Sequence, residues 1–326
     1  MKIGMIVVPV VLLTATAAMA GEDFQGKIAR SFNAKPGGHL SVSTDRGSIQ
    51  VRPWDQSEVS VDMAITISGA SDEEAKKIIE LFEVDMHETG GNVFVDVDYE
   101  QPSRRTLRRS PNVFITIRVP REYSTELTTA GGDIDVASLV GRTEMRTSGG
   151  DVAVRDLQGN VSSATSGGDI VIRGITGHVE AKTSGGDVTV TNTSGSVETE
   201  TSGGDIFVEN AGGSVSGRTS GGDVEVLGVR DTVLASTSGG DINIRYDITN
   251  PPPTRALTSG GDVVITVAEG ASANLDANTP GGSVECEIPV TVQGKLARGR
   301  LSGTIGQGGN LLTLRSSGGS IRLVKR

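Results

Sequence analysis

The sequence predicts an all-β fold: a parallel β-solenoid of about 18 residues per rung, preceded by a mixed, β-rich N-terminal capping region with one helix. Three observations carry this: a fixed repeat period, two-residue alternation inside each repeat, and paired glycines at the corners. The phrase Thr-Ser-Gly-Gly-Asp-(Ile/Val)-x-(Val/Ile) recurs from Thr147 to Ile265. Its aspartates keep the register, with Asp133, Asp151, Asp169, Asp187, Asp205, Asp223 and Asp241 each 18 residues apart and Asp262 following after 21. A constant period marks one structural unit, copied and stacked.

Each unit holds two short alternating runs. Val152 and Val154 form the first in the unit that starts at Thr147; Leu157 follows near a turn, and Gly159 opens a second run, Val161-x-Ser163-x-Thr165. The next units repeat the pattern with Ile170, Ile172, Ile175, Val179 and Ala181, then Val188, Val190, Thr193, Val197 and Thr199. Period two means strands. The glycines are read as suppliers of the positive φ that tight corners need. An antiparallel meander would need a second layer over its apolar face, and the repeats contain no helix to provide one. A coil closes around its own core and stacks equivalent residues about 4.8 Å apart. The inward set is Val, Ile, Ala and Thr, with the Phe207 ring pointing outward, so the core is expected to be narrow.

In chain order, residues 1–20 read as a secretory signal peptide: Lys2, an apolar stretch from Ile3 to Leu13, and Ala18-Met19-Ala20 before Gly21. No cysteine follows the cleavage point, so this is not a lipoprotein signal. The formal net charge of −10 becomes one unit more negative when Lys2 is removed. That balance argues against nucleic acid and against an anionic membrane surface as partner. Cys286 is the one cysteine, which excludes an intramolecular disulfide, and its repeat position places it inward as a small buried hydrophobe.

Residues 21–128 form the capping region, and eight of the ten aromatic residues fall in it. Alternation predicts strands at Leu40–Ser43, Ile49–Arg52, Val59–Ile67, Val93–Val97 and Val113–Val119, with Gly47-Ser48-Ile49-x-Val51 resembling a degenerate rung. Ser71-Asp72-Glu73-Glu74 is a capping box ahead of Ala75, Ile78, Ile79 and Phe82 at helical spacing. Such a block would cover strand edges that a bare solenoid end exposes. Arg104-Arg105-Thr106-Leu107-Arg108-Arg109 is the dense basic cluster, read as a solvated loop or as a contact for an acidic glycan or lipid headgroup.

Residues 129–326 form the repeat domain. Pro251-Pro252-Pro253 reads as a stiff bulge that accounts for the three extra residues before Asp262, either a specificity element or an inert insertion. The chain ends on one more rung, Ser317-Gly318-Gly319-Ser320-Ile321-Arg322-Leu323, whose Ser320 stands 37 residues after Ser283. No translocator barrel, anchor helix or sorting tail is read after it.

The signal peptide, the N-terminal block with Trp54-Asp55, the Val119-Pro120 pair and the serial Ser-Gly-Gly-Asp rungs resemble a bacterial family. It is the putative-adhesin family of β-strand-repeat proteins, a domain of unknown function related to repeats in envelope-stress proteins. The run Leu301-Ser302-Gly303-x-Ile305-Gly306, then Leu312-x-Leu314-x-Ser316-Ser317-Gly318-Gly319, is similar to that family's ending. The resemblance implies a β-solenoid at the cell envelope. Ala130 replaces Ser in the first rung, and Ser283 and Ser320 replace Asp in the last two, which suggests that the Asp matters less at the ends of the stack.

The column Asp133, Asp151, Asp169, Asp187, Asp205, Asp223, Asp241 and Asp262 is the chemical feature to explain. Neighbouring carboxylates about 5 Å apart repel by roughly 1 kcal/mol in water. Either turn N–H groups and nearby hydroxyls offset that, or divalent cations such as calcium sit between rungs. The calcium-binding nonapeptide repeat needs Gly-Gly-x-Gly-x-Asp, whereas here Asp directly follows the second Gly. The structural role is therefore the reading, with no cofactor assigned and these eight residues as the metal candidates. His39, His87 and His178 are far apart in sequence, and no nucleophile–base pair, metal-ligand cluster or phosphate loop can be drawn.

The expectation is an exported protein, periplasmic or at the cell surface. It would act as a non-catalytic binding or adhesion module toward an envelope protein or an extracellular glycan or matrix ligand. The alternatives are an envelope scaffold or stress-signalling protein that engages a protein partner, and a polysaccharide-acting β-helix enzyme.

Overall fold

The structure, a computed structural model, describes residues 23–100, 110–292 and 297–326. The proposed signal peptide and the Arg104–Arg109 cluster lie outside the described residues. The fold is the parallel β-solenoid expected, and it divides into two compact units, one ending at Ala153 and one beginning at Val154.

In the second unit each rung contributes one strand to each of two sheets. Val188–Thr193 lies between Ile170–Thr176 and Ile206–Ala211 in the first sheet, and Val197–Glu200 lies between Val179–Lys182 and Val215–Arg218 in the second. Pairing is parallel and in register, so Val188 sits beside Ile170 and Ile206, and Val190 beside Ile172 and Val208. One slipped residue would turn every aliphatic outward, so burial specifies the register. The inward residues are fully buried, while Phe207, between Ile206 and Val208, points outward as expected. The interior is narrow: a methyl placed on Gly217 of the second sheet would lie 3.3 Å from Val224 and 3.4 Å from Ile206 of the first.

Two corners join the sheets, and the glycines act differently in each. At the Ser-Gly-Gly-Asp corner the pair does not adopt positive φ, contrary to expectation. Close approach is the reason instead: a Cβ on Gly186, Gly204, Gly222 or Gly240 would lie 2.1 Å from the carbonyl oxygen of the equivalent glycine one rung earlier. The opposite corner does need left-handed backbone, with φ of 55° at Asp156, 69° at Gly174, 57° at Asn192, 56° at Asn210 and 67° at Gly228. Asp, Asn and Gly are the residues that tolerate it.

Sequence order and stacking order part company near the C terminus. The strands Leu311–Arg315 and Ile321–Lys325 do not lie outermost. The first inserts between Thr254–Leu257 and Ala273–Asn278, and the second between Val263–Val267 and Val284–Cys286, each paired in parallel on both sides. The Pro251–Pro253 segment is also not an outward bulge as a whole: Pro251 and Pro252 are buried and Pro253 is exposed. It closes a corner around the fully buried Tyr246, whose hydroxyl lies 2.5 Å from Thr254 Oγ1.

The first unit is built on the same plan, with an antiparallel flank. Ser48–Trp54 pairs in parallel with Ile134–Ala137, aligning Ile49 with Ile134, so the degenerate rung is a true one. Gly38–Thr44 likewise pairs in parallel with Tyr123–Thr129, a strand that runs across residue 128. The N-terminal rung is intercalated too, lying between the strands of 92–120 and those of 123–137. Phe24–Asn33 and Glu58–Ile67 pair antiparallel at one sheet margin, and Phe82–Thr89 pairs antiparallel with Asn92–Tyr99 at the other. Among the described residues the one helix is Asp72–Ile79. Its capping box is formed as predicted, Ser71 Oγ accepting from Glu74 N–H at 3.4 Å and Glu74 accepting from Ser71 N–H at 3.1 Å.

Candidate functional site

The Thr-Ser-Gly-Gly-Asp corner builds two parallel hydrogen-bonded ladders. The buried Thr201 hydroxyl donates to the Gly186 carbonyl of the preceding rung at 3.0 Å and accepts the Gly204 N–H of its own rung at 3.3 Å. Thr183, Thr219, Thr237 and Thr258 repeat this, donating at 3.0, 2.9, 2.8 and 2.8 Å. Each threonine thereby pairs one backbone donor and one backbone acceptor at a buried or partly buried corner.

The aspartates form the outer ladder. In the first unit Asp133 Oδ1 accepts the Asp151 N–H at 2.9 Å. In the second unit Asp169 accepts from Asp187, Asp187 from Asp205 and Asp205 from Asp223, each at 2.8 Å, and Asp223 from Asp241 and Asp241 from Asp262 at 2.7 Å. Serines continue the pattern in each unit: in the first, Asp133 N–H donates to Ser48 Oγ; in the second, Ser320 N–H donates to Asp262 Oδ1 and Ser283 N–H to Ser320 Oγ. Ser320 is thus one step inside the stack, not at its end. One carboxylate oxygen of each accepting Asp is committed to a backbone N–H, which offsets the repulsion between rungs. Among the described residues no three His, Cys, Asp or Glu side chains converge as a metal-binding group.

The remaining candidates are dispersed. His178 is exposed, with Nδ1 2.7 Å from Ser196 Oγ. His39 faces Glu126 at 3.9 Å, while His87 lies 3.0 Å from Asp85 and stacks on Phe94. Cys286 is only half-buried, because its strand is the outermost of the first sheet; burial raises its thiol pKa, and Sγ donates to the Ile288 carbonyl.

Sequence reasoning missed an acidic cleft in the first unit. Asp45, Glu80, Glu83, Asp98 and Glu100 surround Leu81, Phe82 and Tyr99 in a space of about 410 Å³. The Phe82 and Tyr99 rings lie 4.7 Å apart, and the Arg46 guanidinium stands over Tyr99 at 5.1 Å. The chain's own arginine therefore supplies a cation at this aromatic face. Beside it, burial and the carboxylates of Asp85 and Asp98 raise the pKa of Asp96. The alternating acids Asp96, Asp98 and Glu100 were the available signal.

The Toastrack DUF4097 family matches residues 38–324. The chain belongs to the Toastrack DUF4097 family. The Toastrack match thus covers both units. Among curated proteins nothing matches. Similar solved structures include a putative adhesin from Bacteroides fragilis, 15% identical, covering 91% of this chain and 97% of that one with a TM-score of 0.35. A putative lipid binding protein from Parabacteroides distasonis is 15% identical over 76% of this chain and 95% of that one, TM-score 0.35. A putative adhesin from the same species is 9% identical over 91% and 97%, TM-score 0.30. These likenesses carry no argument about ligand or activity.

Proposed function

We propose that this Toastrack protein is an exported, non-catalytic binding or adhesion module of the cell envelope. The carrying observation is the corner ladder. In each unit the repeated hydroxyls and carboxylates are spent on rung-to-rung hydrogen bonds, which makes the repeat a rigid support and leaves recognition to its outward side chains. Pre-ordered surfaces of this kind lose little conformational entropy on binding. Among the described residues no helix is long and apolar enough to cross a membrane.

The test has two parts. Mass spectrometry of the exported protein should find an N terminus at Gly21. The purified protein should then be presented to glycan arrays, matrix proteins and solubilised envelope. Saturable glycan or matrix binding supports adhesion. Co-purification of one defined envelope protein without glycan binding moves the function to a scaffold. Release of reducing ends or unsaturated products from a polysaccharide would overturn the non-catalytic reading.

A further inference from the structure

The C-terminal rung occupies a slot between two rungs that precede it in sequence. Its strands Leu311–Arg315 and Ile321–Lys325 are paired on both edges. The chain could have stacked in simple order. Asp262 stands 21 residues after Asp241 and still bonds directly to it at 2.7 Å, and Ser283 stands 21 residues after Asp262. Ser283 nevertheless meets Ser320 and not Asp262.

The groups that the C-terminal rung presents to its slot are matched by those of the rung it displaces. Ser320 N–H donates to Asp262 and Ser316 Oγ to the Gly261 carbonyl at 2.8 Å; Ser283 and Thr279 carry the equivalent N–H and hydroxyl. Gly319 fits against the Gly261 carbonyl, where a Cβ would lie 2.1 Å away, and Gly282 is the corresponding glycine of the outer rung. The inserted rung is reached through residues 306–310, which hold Gly306, Gly308 and Gly309 at φ of 56°, 77° and 150°. A short connection in strained backbone, leading to a strand pair that is paired on both edges, is the arrangement that permits exchange of an element between identical chains.

We infer that residues 310–326 are an exchangeable rung, and that the partner they fit is the same slot in a second copy of this chain. Donation in trans recreates every pairing made in cis, so chain concentration during folding decides which forms.

Leu323 pairs with Cys286, the chain's one cysteine, which supplies the test. The full chain carrying Leu323→Cys is refolded over a concentration series, oxidised and run without reductant. The expected result is an intramolecular crosslink in dilute samples and a rising fraction of crosslinked dimers and longer species in concentrated ones. Those species should be lost when Cys286→Ser is added. Intramolecular crosslinks alone at every concentration, or dimers that lack the Cys286 link, would overturn the proposal. Should the variant fail to fold, two differently tagged wild-type chains are refolded together. Mixed species that increase with concentration support exchange, and their absence throughout overturns it.

Discussion

Asp187 holds the backbone N–H of Asp205 on its carboxylate at 2.8 Å, one rung along the stack. The interaction makes the aspartate column a structural ladder: each charge is spent on the N–H of its neighbour. Asn can keep the acceptor without the charge, and Ala can keep neither. Asp205→Asn should therefore leave stability unchanged or raise it in low salt. Asp205→Ala should cost roughly 1 kcal/mol through the lost hydrogen bond. Unfolding midpoints in calcium and in chelator should coincide. A calcium-dependent rise that disappears in Asp187→Asn/Asp205→Asn would make the column a cation site.

The two glycines of one corner should differ sharply. A methyl on Gly204 would stand 2.1 Å from the Gly186 carbonyl, whereas one on Gly203 would stand 3.5 Å from the nearest atom. Gly204→Ala should lower stability by about 3 kcal/mol or prevent folding, and Gly203→Ala by no more than about 0.5 kcal/mol. Urea unfolding of the pair measures the contrast.

Thr201 is the clearest buried hydroxyl to remove. Thr201→Val keeps the shape but strands the Gly204 N–H and the Gly186 carbonyl, a cost of roughly 1–3 kcal/mol. Thr201→Ser keeps both bonds and should lose less. Equal losses in denaturant titrations would remove the ladder from the stability account.

Asp276 should give the stack an acid-sensitive contact. Hydrogen bonding from Arg315 holds its carboxyl below the ordinary value, against an opposing effect of burial, with Ser302 adding a second bond. A depressed carboxyl contributes stability above its unfolded value, near pH 4, and loses it as pH falls through the folded value. The stability difference between wild type and Asp276→Asn should be full at neutral pH and vanish in strong acid. A difference that stays constant across the titration would contradict this.

At the left-handed corner, Asn210→Val should cost about 1–2 kcal/mol, because a β-branched residue resists positive φ. Asn210→Gly should be nearly neutral, since Gly174 and Gly228 already occupy that column. Calorimetry of both variants checks the order.

Much of this was legible in one dimension. The 18-residue spacing of the aspartates, the alternation Val188-x-Val190 and the capping box at Ser71 each announce local geometry, because they depend on neighbours in the chain. The corner glycines suggest positive φ in one dimension, whereas Gly204 serves close approach to Gly186, a contact between rungs that no local pattern records. The same holds for Cys286, inward by alignment yet half-buried because no further strand follows it in its sheet.

The rung is written in the chain: its strands, the positions of its corners, its inward face and the polar groups that repeat with it. Stacking order was decided only in three dimensions. Ser320 follows Ser283 by 37 residues in the chain, yet stands between it and Asp262 in the stack. Rungs with interchangeable edges carry no label for their neighbour. The connecting segments and the pairing of both free edges decide which rung lies beside which.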